Sequence, residues 1–258
     1  MTSPLTNKAV LCTGGSGSFG QAFVAHALEV GASRVCVVSR SEATQAAMAL
    51  AFSDERMRFM IGDVRDAVRM TEVTRGVDIV IHDAALKRVE TCEAEPGEAL
   101  ATNVDGSRNV ARACIINGIE KAVFLSTDKA AAPNTHYGAT KLAAERLWRG
   151  WNVYAAGTAT RFSATRYGNV LGSTGSVLQL WRSQHLANEP ITITDVRCTR
   201  FWMTMRDAVA LVELALTRMR GGEVFVPRCG AAPVLDLARA IVETEGAYGP
   251  GHIEIGLR

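Results

Sequence analysis

The sequence predicts an α/β protein: a doubly wound parallel sheet with a smaller second lobe. Three observations predict it. Short apolar runs alternate with helical stretches in a repeated strand–helix order. A glycine-rich turn stands between the first strand and the first helix. A Tyr-x-x-x-Lys pair follows an apolar run that ends in Ser126-Thr127-Asp128-Lys129. The 258 residues are 48% hydrophobic and 21% charged, which suffices for one substantial core and a smaller lobe. A net charge of +2 points to no nucleic-acid and no acidic-membrane partner. No 18-residue apolar run occurs, and Met1 to Lys8 holds no long apolar segment, so the chain reads as cytoplasmic. Cys12, Cys36, Cys92, Cys114, Cys198 and Cys229 form no Cys-x-x-Cys pair and show no metal-ligand spacing. They read as small buried apolar residues of a reducing compartment, and no metal site is expected.

The first strand, Ala9-Val-Leu-Cys12, runs into Thr13-Gly-Gly-Ser-Gly-Ser-Phe-Gly20 and a helix from Gln21 to about Val30. Gly14 and Gly15 allow the tight turn, Gly17 lets the backbone approach a pyrophosphate, and Gly20 lets helix and strand pack closely. The helix opening, with Ser18 and Phe19, offers unpaired N–H groups to phosphates. Three spaced glycines in this context predict a dinucleotide site. The second strand, Arg34 to Val38, ends in Ser39-Arg40. A hydroxyl and a guanidinium stand where a carboxylate would mark an NAD protein, so NADP is the expected cofactor; the plain alternative is a solvated arginine at a turn. A helix over about 42–52 leads to the third strand, Met57 to Ile61, then Gly62-Asp63-Val64. Asp63, with Val64 beside it, lies where an adenine amino group could be met. Equally, Asp63 suits the N-cap of the next helix.

Val77 to Ile81 is the fourth strand, followed by His82-Asp83-Ala84-Ala85-Leu86-Lys87. Small residues at Ala84 and Ala85 would let a cofactor ribose lie on the backbone. Lys87 could reach cofactor or substrate, or simply be solvated. His82 reads as a core or loop histidine. A long helix from about Pro96 to Asn117 leads into the strand Ala122 to Leu125. Thr127, Asp128 and Lys129 emerge at the carboxyl end of that strand, where open α/β sheets hold ligands. Tyr137 and Lys141, four apart, share one helical face. An ammonium near a phenol favours phenolate, so Lys141 is expected to make Tyr137 a base near neutral pH.

A further strand, Ala159 to Arg166, is followed by a glycine-rich stretch from Tyr167 to Ser176. The expected division is therefore an NADP-binding domain over 1–166, rejoined by about 205–226. The substrate lobe would comprise 167–204 and 227–258. The lobe is expected to hold a helix at about 177–187 and a strand at 191–193, with a helix over 207–219 and a strand over 223–226 returning to the main sheet. Asn169, Arg197 and Arg200 are the groups expected on a substrate diphosphate. The alternative is that one of these arginines pairs with Asp195.

With these residues in view, the chain resembles the extended short-chain dehydrogenase/reductases. More narrowly, it resembles the inverting UDP-N-acetylglucosamine 4,6-dehydratases of polysaccharide and glycan biosynthesis. The resemblance spans about 9–229. It rests on the Thr13–Gly20 turn, Gly62-Asp-Val-Arg-Asp66, Ala84-Ala-Leu-Lys87, Leu125-Ser-Thr-Asp-Lys-Ala-Ala131, Tyr137-Gly-Ala-Thr-Lys141, Arg166-Tyr-Gly-Asn-Val170 and Thr199-Arg-Phe-Trp202. Thr-Asp-Lys discriminates: related retaining dehydratases carry Glu where Lys129 stands, and epimerases lack the acid–base pair. The resemblance implies a Rossmann fold, self-association, and a UDP-sugar substrate met by Lys87, Asn169, Ser173, Ser176, Val177, Arg200 and Arg258. Tyr137 would take the C4 hydroxyl proton as hydride leaves for NADP⁺, with Thr127 on that oxygen and Lys141 on the nicotinamide ribose. Lys129 would remove the C5 proton, Asp128 would protonate the departing C6 hydroxyl, and hydride would return to C6. Departures are visible. Asp83 and Arg88 replace the family's usual Ala and His, and Thr174 replaces an Arg. The resemblance also implies a substrate lobe longer than this one, because relatives continue past the point where this sequence reaches Gly256-Leu-Arg258. A 4-epimerase or 4-reductase, and a non-catalytic NADP-binding protein, are the alternative readings.

Overall fold

A computed structural model describes residues 2–244 and the backbone of 253–255. Two compact units result: residues 1–167 with 209–227, and residues 168–208 with 228–258. In the first unit, seven parallel strands form one sheet in the order β10-β6-β5-β4-β1-β2-β3. The strands are β1 (Ala9–Thr13), β2 (Arg34–Ser39), β3 (Met57–Ile61), β4 (Ile79–His82), β5 (Lys121–Thr127), β6 (Arg161–Tyr167) and β10 (Val224–Phe225). The central strands β1 and β5 are buried over nearly their whole length, with apolar runs through their middles, because helices cover both faces. β1 pairs with β2 on one side and with β4 on the other, so the winding reverses between β1 and β4. Ligands of open α/β sheets sit at that reversal, beyond the carboxyl ends of the strands.

The helices of this unit are α1 (Ser18–Glu29), α2 (Glu42–Ala51), α3 (Ala67–Val73), α4 (Val89–Ala94), α5 (Pro96–Leu100), α6 (Gly106–Ile116) and α7 (His136–Tyr154). The core between sheet and helices holds Leu11, Val80, Phe124, Trp148 and Phe162, all fully buried. Each large side chain contributes about 1.5–3 kcal/mol on burial. Trp148 carries most of the aromatic packing, stacking on His82 at 5.2 Å and meeting Phe162 edge-on at 5.4 Å.

Three local expectations are corrected. The uninterrupted helix over about 96–117 is divided: α5 passes through a π-turn, Ala101–Asp105, before α6 begins. One extra residue in that turn swings Asn103 inward, a displacement that period-3.6 reasoning does not anticipate. Asp63 does not cap α3. Asp66 does, accepting from the Arg69 N–H at 2.9 Å, while Asp63 is gripped by the Arg65 side chain at 2.6 Å. The short helix α4 was not expected at all.

The second unit holds β7 (Asn169–Val170), α8 (Val177–Leu186), β8 (Ile191–Ile193), β9 (Thr199–Met203), β11 (Ala231–Pro233), α10 (Val234–Thr244) and β12 (Ile253–Ile255). Helix α9 (Met205–Arg218) begins in it and continues into the first unit, where β10 follows and pairs with β6. A separate core of Trp181, Ile191, Ile193, Ala238 and Ile241 holds the second unit together. Among the described residues no helix is long and apolar enough to cross a membrane.

Candidate active site

Two turns border the crevice at the reversal of the winding. The turn after β1 takes its shape from glycine. Gly14 has a φ of +71°, and a Cβ there would sit 2.8 Å from the Ala84 nitrogen. The loop after β4 therefore packs directly on it. A Cβ at Gly20 would meet the backbone of Gly15 at 2.4 Å, so α1 closes on the turn only because that position is bare. At Gly17 a Cβ would lie 3.2 Å from Gly14 O, and the nearest side-chain atom is Asp83 Oδ2 at 4.0 Å. This cradle, with the N-terminus of α1 behind it, fits a dinucleotide diphosphate. Ser18 opens α1, and the Phe19 ring turns away into the core against Phe23 and Tyr167. Only the backbone of Phe19 is left for a cofactor. At the adenosine end, Ser39 accepts from Gln45 Nε2 at 3.0 Å. The Arg40 guanidinium is 54% exposed and lies 3.9 Å from Asp63. Val64 is buried against Gly106.

Below the crevice lies a polar network that sequence reasoning missed. Asn103 accepts from the Leu86 N–H at 2.8 Å and donates to Leu86 O at 2.9 Å and to Thr140 Oγ1 at 3.0 Å. It thereby ties the π-turn to the β4–α4 loop and to α7. Its only signal in the sequence is a polar residue on an otherwise apolar face. His82 is a structural histidine, as expected. Ser107 Oγ donates to Asn103 O at 2.6 Å, so it accepts from His82 Nε2–H at 2.9 Å. Nδ1 is left to accept from Thr13 Oγ1 at 2.6 Å. Burial, aided by Lys141, pushes the His82 pKa down to about 3, and the ring stays neutral.

The expected catalytic residues come together at the carboxyl end of β5. Thr127 closes the strand, and a single 3₁₀ turn, Asp128–Ala130, follows. Thr127 Oγ1 donates to Asp128 Oδ1 at 2.9 Å, and Lys129 Nζ donates to the same oxygen at 3.0 Å. Helix α7, capped by Thr135, begins next to this turn. A Cβ on Gly138 would strike Lys129 O at 2.5 Å, so the bare glycine permits the approach. Tyr137 thus faces Thr127 and Asp128. Four residues on, Lys141 is 3% exposed, its Nζ 4.1 Å from the centre of the Phe124 ring. Beneath it Glu145, fully buried, is bound through both oxygens by Arg166 at 2.8 Å.

Electrostatics correct the sequence reading at Tyr137. Burial lifts its pKa well above the ordinary phenol value, and the carboxylates of Asp83 and Asp128 lift it further. Hydrogen bonding with Thr127 is the opposing influence. In the protein alone, the Lys141 ammonium does not bring Tyr137 to a neutral-pH base. Burial depresses Lys141 itself, against the attraction of Asp83 and Glu145.

In the second unit, Asn169 opens β7 and pairs with Trp202 of β9, and Ser173 lies in the following turn. Ser176 is the N-cap residue of α8 without capping through its hydroxyl, which is buried and unpaired. Val177 packs on the unit's core. Arg200 donates to Thr199 O at 2.9 Å. Arg197 is held by Asp195 at 2.8 Å, so the ion-pair alternative holds for it. Lys87 is exposed on the β4–α4 loop. Arg258 lies outside the described residues. Cys198 and Cys229 are half-buried and not the core residues expected, while the other four cysteines are buried. Among the described residues no cluster suits a metal ion.

The family model for polysaccharide biosynthesis proteins matches residues 10–258. The chain belongs to that family. Within it, the chain is 43% identical to the UDP-N-acetylglucosamine 4,6-dehydratase (inverting) of Campylobacter jejuni serotype O:2, over 97% of this chain and 74% of that one. It is 40% identical to the UDP-glucose 4-epimerase of Rickettsia akari, over 93% of this chain and 72% of that one. Among solved structures, Pen from Bacillus thuringiensis superposes with a TM-score of 0.94 at 36% identity, covering 100% of this chain and 79% of that one. MoeE5, solved with UDP-glucose and NAD, superposes at 0.80 with 26% identity, covering 96% and 87%.

Proposed function

We propose that this family member is an NADP-dependent UDP-N-acetylglucosamine 4,6-dehydratase that inverts C5, working in the cytoplasm as a homo-oligomer. The observation that carries the reading is the hydrogen-bonded run Thr127–Asp128–Lys129 facing Tyr137. When bound, NADP supplies the acceptor and donor for the hydride that leaves C4 and returns to C6. The chain's residues do the proton work. Tyr137 is the group proposed to take the C4 hydroxyl proton, and Thr127 holds that oxygen. That role of Tyr137 needs the positive charge of bound cofactor to offset the burial that raises its pKa in the protein alone. Lys141, whose ammonium donates no hydrogen bond among the described residues, is available to the nicotinamide ribose. Lys129 and Asp128 form an ion pair at 3.0 Å, one proton transfer from a neutral amine beside a carboxylic acid. Those are the two forms the elimination requires: a base for the C5 proton and an acid for the C6 hydroxyl. Arg40, only loosely engaged by Asp63, is the group proposed for the 2′-phosphate. Asn169, Arg200 and Arg258 are proposed for the substrate diphosphate.

Incubation with UDP-N-acetylglucosamine tests this. The expected product is lighter by one water by mass spectrometry, with no net NADPH formed. A second reading, 4-epimerase, has the likeness to the Rickettsia enzyme in its favour. It predicts interconversion of UDP-glucose and its C4 epimer with no loss of water, and that outcome would replace the dehydratase reading.

A further inference from the structure

One ionisable group in the crevice has no role in the chemistry above. Asp83 follows β4, and its N–H donates to Thr13 O at 3.1 Å, which fixes the backbone against β1. Its carboxylate is partly buried and turned toward the glycine turn, with Oδ2 4.0 Å from the position of a Cβ on Gly17. The titratable groups that face it are Tyr137 and Lys141 from α7, Tyr167 from β6, Cys12 from β1, and Lys87 from its own loop. Burial holds the two phenols and the thiol in their neutral forms, so the local charges are Asp83, Lys141 and Lys87. Among the described residues the Asp83 carboxylate accepts no hydrogen bond, and the buried Lys141 ammonium donates none. An ammonium as buried as that of Lys141 is normally satisfied, and the half-buried Asp83 carboxylate beside the glycine turn is open to whatever enters the crevice.

On the reading that this crevice binds a nicotinamide dinucleotide, we propose that Asp83 is a cofactor contact that couples binding of the diphosphate to uptake of one proton from solvent. As a carboxylate beside Gly17 it repels the incoming anion across a poorly screened gap. As a carboxylic acid it donates its O–H to a phosphate oxygen. Burial raises the Asp83 pKa, with Lys141 and then Lys87 opposing the rise, so the acid form is within reach near neutrality. A bound anion favours that form further. Affinity for the dinucleotide is therefore highest on the acid side and falls as pH rises. Loss of the Lys141 charge would act in the same direction, so the variants must separate the two.

The test is calorimetric titration of the full chain with NADP⁺ from about pH 6 to about pH 9, in buffers of differing ionisation enthalpy, for wild type, Asp83→Asn and Asp83→Ala. Wild type is expected to take up a proton on binding, with the dissociation constant rising by up to about tenfold per pH unit. Both variants should bind about tenfold or more tightly than wild type at the alkaline end, with a flatter profile and no proton uptake. The same slope and uptake in Asp83→Asn would assign the effect to Lys141 and overturn the proposal. Weaker binding in both variants, each folded by circular dichroism, would overturn it too. If wild type binds neither NADP⁺ nor NAD⁺, the dinucleotide reading itself fails, and the proposal falls with it.

Discussion

On the proposed reading, Lys141 and Lys129 serve one reaction from opposite environments. Lys141 is almost wholly buried, lies over the Phe124 ring and has its ammonium disfavoured by burial. Lys129 keeps 35% of its side chain exposed and is held by one carboxylate oxygen. The buried lysine is positioned by packing and has little freedom to move. The half-buried one is held in part by a hydrogen bond to Asp128 that a proton transfer can undo. On that reading, a rigidly placed group for holding a cofactor and an exchangeable proton for chemistry call for different degrees of burial.

Substitutions can break or sharpen this contrast. The largest effect is expected at Lys141→Met, which fits the buried stem without the charge. It should lower kcat/KM by about 10³-fold or more and weaken NADP⁺ binding, while thermal stability holds or rises because a desolvated charge is gone. A drop in melting temperature with unchanged cofactor affinity would show that the lysine is structural. Lys129→Ala should lower turnover by about 10²–10⁴-fold and abolish solvent deuterium exchange at C5, yet leave NADP⁺ affinity within about twofold. Wild-type exchange in that variant would remove Lys129 as the base.

Acid should next unfold the buried side first. His82 titrates at about 3 in the folded protein, below its unfolded value, so the unfolded chain binds the extra proton. Stability is then full above about pH 6.5 and declines as pH falls toward the folded value. A melting temperature flat between about pH 6.5 and about pH 4 would contradict that neutral histidine. Asn103→Ala should cost about 1–3 kcal/mol by urea unfolding, because it strands the Leu86 amide and carbonyl. It should also lower kcat more than it changes KM, since it loosens the Lys141 side alone. The smallest effect belongs to Arg197→Ala: less than about 1 kcal/mol of stability, and KM for the UDP-sugar within about twofold, because Asp195 already occupies that guanidinium. A large rise in KM would restore Arg197 to the substrate.

The legible parts of this molecule were those whose physics is local. Ala9 to Cys12 and Ala122 to Leu125 are apolar enough to require two covered faces, and the Gly14-Gly15-Gly17-Gly20 spacing has few uses beyond a tight turn before a helix. The four-residue step from Tyr137 to Lys141 fixes a shared face. What escaped depends on neighbours distant in sequence. Two carboxylates, Asp63 and Asp66, stand before α3, and only the path of the chain decides which one caps. The neighbouring charge predicted a lowered Tyr137, but burial, invisible in a linear string, outweighs it. Asn103 was hidden because a π-turn shifts the helical phase by one residue. Asp83 is visible in the sequence only as a departure from the family's usual Ala, and its place beside Gly17 depends on β1 and β4 lying side by side.

Gly14 and Ala84 meet backbone to backbone, with no side chain between the two turns that border the crevice. Contact of that kind has no rotamers to rearrange and no slack to take up. The walls stand at their final separation before anything arrives. A dinucleotide would therefore meet a gap of set width, its rate of capture governed by diffusion and by the charges along the walls, with little left for loop closure to decide.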